Sequence, residues 1–214
     1  MRTICLLLLS AAALAAQPFG FGIKGGLPMT DFLDAASNQT FKFDTTTNRY
    51  IIGPMVELRL PYGLGVEFNV LYRHFGYTSF SSISGITNTI TDARTSSNAW
   101  EFPLVAKYKF KGVPLVRPYV EAGVSWNSLS GLSQTVTKTI ANITNTSSTT
   151  APPELNQKTT RGFVLGAGVD IKALIIHVMP EIRYTRWGAK QFIDPGGLLN
   201  SNRNQGEFLI GITF

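Results

Sequence analysis

The sequence predicts an all-β fold: an eight-stranded antiparallel transmembrane β-barrel of up-and-down topology. Three observations carry that expectation. Eight segments alternate with a period of two, one parity large and apolar, the other small, polar or charged. The connections between them are short and long in turn, the loop asymmetry of an outer-membrane barrel. The strand charges all fall on the parity opposite the aliphatic set, with both signs present and glycines between them. A soluble sandwich or lipocalin-like barrel would turn its Leu and Phe inward and its charges to water. A mixed-charge face with glycines suits a narrow polar lumen, with lipid covering the apolar face.

The clearest segment is the last, Gly206 to Phe214. Phe208, Ile210, Ile212 and Phe214 share one parity; Glu207, Leu209, Gly211 and Thr213 share the other. An apolar strand that closes against the first strand explains a chain finishing in this way. Strand one is expected over residues 19–27, with Phe19, Phe21, Ile23 and Leu27 on the lipid side. Strand two spans about 50–60 and strand three about 64–72, joined by a tight turn at Pro61-Tyr62-Gly63. Strand four covers 99–110, strand five runs through 119–127, strand six 162–172 and strand seven 175–187. The connections over 29–49, 78–98, 130–160 and 188–205 are long. Those at 78–98 and 130–160 are rich in Ser and Thr, show no apolar period and read as loops. The stretch from Ile140 to Pro153 is expected to be exposed and mobile, since it offers little apolar area to offset its ordering entropy.

Residues 1–16 read as a secretory signal peptide: Arg2, then an apolar run from Ile4, then Ala13-Leu14-Ala15 as a small-x-small cleavage site. The apolar run is shorter than the roughly 20 residues of a spanning helix. Residues 17–214 form the barrel domain. The single cysteine, Cys5, lies in the signal segment, so the mature chain offers no disulfide, thiolate metal site or cysteine nucleophile. The net charge of +6 comes from Lys and Arg scattered singly, which gives no nucleic-acid-binding stripe.

The parity assigns a lumen charge network to Lys24, Glu57, Arg59, Glu67, Arg73, Glu101, Lys107, Lys109, Glu121, Asp170, Lys172, Glu181 and Arg183. Opposite signs are expected to meet across neighbouring strands. Aromatic residues fall at two levels. Phe19, Phe21, Tyr108, Phe110 and Phe214 would form a periplasmic girdle; Tyr50, Tyr72, Trp100, Trp126, Tyr184 and Phe208 an outer one. The apolar run from Leu64 to Tyr72, at roughly 3.3 Å per residue and a tilt of about 40°, spans a band of about 20–25 Å. Lumen-side Gly20, Gly22, Gly65, Gly123, Gly162, Gly166, Gly168 and Gly211 would relieve crowding in an interior just wide enough for side chains.

Four stretches carry a resemblance: Phe21-Gly22-Ile23-Lys24-Gly25-Gly26-Leu27; Trp100-Glu101-Phe102-Pro103-Leu104 with Lys107-Tyr108-Lys109-Phe110; Pro180-Glu181-Ile182-Arg183-Tyr184; and Phe208 to Phe214. Together they resemble the outer-membrane β-barrel domain family, small barrels related in architecture to OmpA and OmpX. The resemblance implies an eight-stranded barrel in the bacterial outer membrane. It also implies assembly by the barrel-folding machinery, which would read Phe208, Ile210, Ile212 and Phe214. It implies no shared catalytic set.

No catalytic, cofactor or metal site is expected. His74 lies at the outer rim and His177 on the lumen side, with no second histidine at ligand spacing. The loop carboxylates Asp31, Asp34, Asp44, Asp92 and Asp194 lack the dense calcium-loop pattern. The expected function is a non-enzymatic outer-membrane barrel whose long outer loops serve surface interaction or envelope integrity. Its expected partners are outer-membrane lipid, lipopolysaccharide and an extracellular molecule whose identity the residues leave open. A narrow solute or ion pore is the first alternative. A lipid-modifying enzyme is the second, and it would require a Ser or Asp within hydrogen-bond reach of His74.

Overall fold

A computed structural model of the chain describes residues 19–38, 40–83, 89–111, 113 and 115–214. The expected signal segment, with Cys5, lies outside the described residues. Among the described residues are thirteen strands and one 3-10 turn: β1 (Phe19–Pro28), β2 (Leu33–Ala35), β3 (Phe41–Thr47), β4 (Ile51–Arg59), β5 (Leu64–Asn69), β6 (Leu71–Ile83), β7 (Thr89–Lys109), β8 (Val116–Ile140), β9 (Ile143–Thr149), β10 (Thr159–Ala173), β11 (Ile176–Trp187), β12 (Leu199–Ser201) and β13 (Asn204–Thr213).

Eight staves close into an antiparallel barrel. β1 pairs with β4, β4 with the β5–β6 stave, that stave with β7, and β7 with β8. β8 pairs with β10, β10 with β11, β11 with β13, and β13 returns to β1, where Gly22 faces Thr213 and Leu27 faces Phe208. The third stave, expected to be continuous, is interrupted at Val70. Its partner Pro54 has no N–H to give, so the ladder there keeps only the bond from Val70 N to Pro54 O, 3.0 Å.

Parity decides what each stave shows. Phe163, Leu165 and Ile182 stand outward, while Glu67, Lys107 and Arg183 are wholly buried inside. The interior is tight enough that two glycines of β10 are needed as space. A Cβ on Gly166 would meet the Glu121 carboxylate at 2.7 Å, and one on Gly168 would meet the Tyr119 ring at 2.6 Å. At one end the turns are short. Pro61–Gly63 is a 3-10 turn in which Tyr62 and Gly63 take positive φ, 64° and 81°. Leu174 takes φ 58° in the turn between β10 and β11.

The opposite end departs from expectation. The connections at 78–98 and 130–160 are largely strand: β6 and β7 pair from Leu71 opposite Glu101 up to Ile83 opposite Thr89, and β8 pairs with β9 from Gln134 to Ile140. Thr has a high strand propensity, and no apolar alternation marks these segments although their inward faces are partly buried. β3, from the first long connection, pairs with β6. The result is a five-stranded wall, β3-β6-β7-β8-β9, standing beyond the closed barrel. Residues 143–149 are exposed, as expected, but they form the edge strand of that wall.

Inside the hairpin end lies a second core that the alternation did not foretell. Phe32, Leu33, Phe75, Tyr77, Leu129, Phe192 and Leu199 pack together, fully or nearly fully buried. β2 and β12 form a two-stranded sheet that brings Leu33 beside Ser201 and Ala35 beside Leu199. The first and last long connections thus fold inward as a lid over the barrel mouth. Tyr77 donates to Glu154 Oε2 at 3.0 Å, and burial together with that carboxylate pushes its phenol well above the usual range.

Two outcomes follow from this architecture. Leu165, outward and 58% exposed, pairs laterally with Ala122 and Tyr184 midway along β10. Leu165→Arg should lower the stability of the lipid-folded protein by about 2–4 kcal/mol, read by urea titration in vesicles. A change within about 0.5 kcal/mol would mean that this face does not meet hydrocarbon. In the second test, residues 137–146 are replaced by Asn-Gly, a two-residue turn between the paired Val136 and Ser147. Heat-modifiable migration on gels should be unchanged. Loss of the folded band would show that the wall tip is needed for barrel closure.

Candidate functional site

The lumen is where the chain gathers its chemistry, and the staves place it in layers. Nearest the short turns, Lys109 Nζ lies 2.7 Å from Glu57 Oε1 and donates to Asp170 Oδ2 at 2.8 Å. His177 Nδ1 meets Asp170 Oδ1 at 2.7 Å. Arg59 donates to Glu57 at 3.2 Å and to Thr213 Oγ1 at 3.0 Å.

The middle layer centres on Glu67. Lys24 donates to its Oε1 at 2.5 Å, Lys107 to its Oε2 at 2.5 Å, and Arg183 Nη2 lies 3.4 Å from Oε1. Lys24 also donates to Glu181 at 2.9 Å, and Arg183 Nε donates to Glu121 Oε1 at 2.9 Å. Tyr119 donates to Glu181 Oε2 at 2.6 Å and lies beneath the Lys107 ammonium, 4.5 Å from ring centre to Nζ. Met55 and Met179 pack against Tyr119. Lys107 with Glu67 and Glu121 joins neighbouring staves, but the network also crosses the lumen. Lys24 on β1 reaches Glu67 on β5 and Glu181 on β11, neither of them a paired neighbour of β1.

Above it, Arg73 donates to Glu101 and to Gln205 Oε1, the latter at 2.9 Å, and lies 3.9 Å from Glu207. Asn127 donates to Glu101 at 3.3 Å. The Arg73 guanidinium also covers the Phe32 ring at 5.0 Å, which joins the charged layers to the apolar lid. Glu207, Gln205, Tyr119 and Asn127 belong to this site and were not among the expected residues. All four share the lumen parity of their strands, so the signal was present; Glu207 simply sat in the terminal segment read for its apolar face. Lys172 was expected here and is not. It is exposed at the mouth beside Asp170 and His177, faces His177 across the β10–β11 ladder, and makes none of the ion pairs. That close to the turn, an alternating parity no longer points into an enclosed space.

The carboxylates of Glu67, Glu121 and Glu181 come within 4.8 Å of one another, close enough in principle to hold a metal ion. Lys24, Lys107 and Arg183 occupy the space that such an ion would need. His74 Nδ1 contacts Asn98 Oδ1 at 2.7 Å, and Tyr72 donates to the same oxygen at 2.9 Å. An amide in that place supplies neither nucleophile nor carboxylate. Of the outward aromatics, Phe19, Phe21, Tyr108, Phe110 and Phe214 stand exposed at the short-turn end. Tyr50, Trp100, Trp126, Tyr184 and Phe208 stand exposed toward the hairpins, with Tyr72 half-buried against Trp100 at 5.1 Å.

The hub has a measurable signature. Glu67→Gln keeps shape and volume but leaves Lys24, Lys107 and part of Arg183 without their shared counter-charge. It should cost about 3–5 kcal/mol in urea unfolding from vesicles, because each cation is shut away from water. Glu121→Gln should cost less, since Arg183 keeps Glu181 at 2.8 Å. Equal, small effects from both would show that water screens the lumen.

The family described as "Outer membrane protein beta-barrel domain" matches residues 15–188. No curated protein matches the sequence. Among solved structures, the outer membrane protein OprG from Pseudomonas aeruginosa aligns over 92% of this chain and 94% of its own, with a TM-score of 0.51 and 12% identity. Neisserial surface protein A aligns over 92% and 96%, at 0.41 and 14%. The attachment invasion locus protein Ail of Yersinia pestis aligns over 91% and 95%, at 0.39 and 8%. At 12% identity the likeness to OprG is one of fold. The family match covers most of the chain and the closed eight-stranded antiparallel barrel agrees with it: this protein belongs to the outer membrane protein β-barrel domain family.

Proposed function

We propose that this protein is a non-enzymatic outer-membrane barrel that presents its hairpin wall at the cell surface and does not serve as an open channel. One observation carries the reading: the lumen is closed twice. The charge layers around Glu67 fill its middle, and the Phe32–Phe75–Phe192 lid fills the mouth at the hairpin end. A solute would have to break buried ion pairs and also displace a packed apolar core. What remains available for interaction is the wall of β3, β6, β7, β8 and β9, together with the connections that form the lid. Binding surfaces commonly lie on such projections from a rigid scaffold. The short turns and the ends of β1 and β13 then face the periplasm. The cleaved signal peptide, recognition of Phe208, Ile210, Ile212 and Phe214 by the assembly machinery, and the two aromatic levels as membrane girdles belong to the same reading. The contact of His74 with Asn98 favours it over a lipid-modifying enzyme.

Planar-bilayer recording on the purified protein separates this reading from the pore. Large, stable, open-channel steps are not expected from the unaltered protein. They are not expected from Phe192→Ala either, because the charge layers remain below the opened lid. Stable steps in the unaltered protein would overturn the closed-lumen reading. Proteinase added to intact cells should cut within the hairpin wall; complete protection of the wall would reverse the assigned orientation.

A further inference from the structure

The outer surface is not electrically even around the barrel. On the β10–β11–β13 flank, basic residues stand at the level where the closed barrel gives way to the hairpins. Arg161 is exposed on β10 and pairs in register with Trp126 of β8. Arg186 is exposed on β11 and pairs with Phe163, itself 71% exposed. Arg203 stands just before β13, its Nε donating to Trp187 O at 3.0 Å. Lys158 is exposed immediately before β10. Among the described residues, none of these four cations lies within ion-pair distance of a carboxylate.

Two further features give the flank the form of a site. A cleft of about 600 Å³ opens beside Arg161, with Phe102 and Trp126 on one side and Thr159, Gln157 and Gly188 on the other. It forms where the tall β7–β8 wall rises past the shorter β10–β11 edge. The second feature is orientation: Arg186 Nη1 donates to Asn204 Oδ1 at 2.5 Å, and Tyr184 donates to the same oxygen at 2.8 Å, so this guanidinium is held on the outer face. Below the cations and the Tyr184 hydroxyl, Phe163, Leu165, Ile182 and Phe208 stand exposed as an apolar strip.

We propose that this flank binds a lipid of the outer leaflet whose headgroup carries more than one phosphate. Its acyl chains would lie along Phe163, Leu165 and Ile182, with its phosphates between Arg161 and Arg186 and a sugar or glycerol unit in the cleft against Trp126. Guanidinium forks match phosphate oxygens in pairs, and aromatic rings set the depth of the headgroup. The charge complementarity and the apolar strip directly beneath it select a lipid over a soluble anion. The inference rests on the membrane placement of the barrel and not on surface recognition by the wall.

The test uses the full chain in nanodiscs, with retained lipid read by native mass spectrometry. Discs carry a bis-phosphorylated glycolipid, its enzymatically dephosphorylated form, or phosphatidylglycerol. The unaltered protein should retain the bis-phosphorylated lipid at least about tenfold better than the dephosphorylated one. Arg161→Gln/Arg186→Gln should abolish that preference, while Lys111→Gln/Arg117→Gln at the opposite end should keep it. Equal retention of the phosphorylated and dephosphorylated lipids by the unaltered protein would overturn the proposal whether or not the variants fold. So would equal loss from both double variants, which would reduce the effect to overall charge. Displacement of the retained lipid by millimolar inorganic phosphate would also refute it, by showing a free-anion site. None of these results bears on conductance or on protease access to the wall.

Discussion

A strand inside hydrocarbon has no water to complete its hydrogen bonds, and everything else in this molecule follows from that constraint. Each stave must find both neighbours among the other seven, so β13 has to return to β1 and the sheet has to close. Closure turns the two faces of every strand into two different solvents, lipid outside and an enclosed lumen inside. The alternation of Phe208, Ile210 and Ile212 with Glu207, Leu209 and Gly211 is the imprint of that division on one segment. An edge strand within the bilayer would leave a row of N–H and C=O groups unpaired, at several kcal/mol each.

Eight strands leave an interior only as wide as the side chains that fill it. Charge is expensive there unless it is paired, and it is paired densely: three cations converge on Glu67 and all three also reach Glu181. Such a hub ties β1, β5, β7 and β11 together across the barrel, something that backbone ladders between neighbours cannot do. Its volume has to come from somewhere, and Gly166 and Gly168 supply it by giving Glu121 and Tyr119 room to stand. Arg73 then links the charged layers to the lid through the face of Phe32. The glycines, the mixed charges and the methionines beside Tyr119 are one solution to the problem of filling a narrow tube.

What could be read in advance follows the same physics. Parity is strictly local, so the lumen side of every stave was legible, down to Lys24 and Glu181, which lie far apart in sequence and meet inside. The hairpin wall was hidden because the reading relied on contrast between an apolar and a polar face. Over β6 from Thr78 and β7 up to Asn98 the outward face is mixed, with Thr78, Phe80, Ser82, Asp92 and Arg94, and that contrast fades while the strands continue. The abundance of Thr there was the surviving signal, a propensity without a period. The lid was hidden for another reason. Phe32, Leu33, Phe192 and Leu199 lie in connections without regular spacing and become a core only when the two ends of the chain are brought together. Phe75 and Tyr77 continue the parity of Leu71 and Arg73, and there the interior turns apolar above the charged layers. Lys172 was misplaced for the opposite reason: the parity held, but the enclosure had ended.

The constraint on the sheet ends at the boundary where hydrocarbon gives way to water. Below it the sheet must close; above it an open edge is tolerated, because water completes the bonds that a neighbour would otherwise supply. β3 and β9 are such open edges, each paired with the barrel wall on one side. β10 and β11 stop near Thr159 and Trp187, whereas β7 and β8 continue well past Trp100 and Trp126. The transition from closed ring to open wall therefore falls where Trp126 stands beside Arg161 and Phe163 beside Arg186. Aromatic rings and guanidinium groups are the side chains suited to an interface between hydrocarbon and phosphate. Backbone topology and side-chain chemistry are independent indicators of depth, and on this flank they mark the same level.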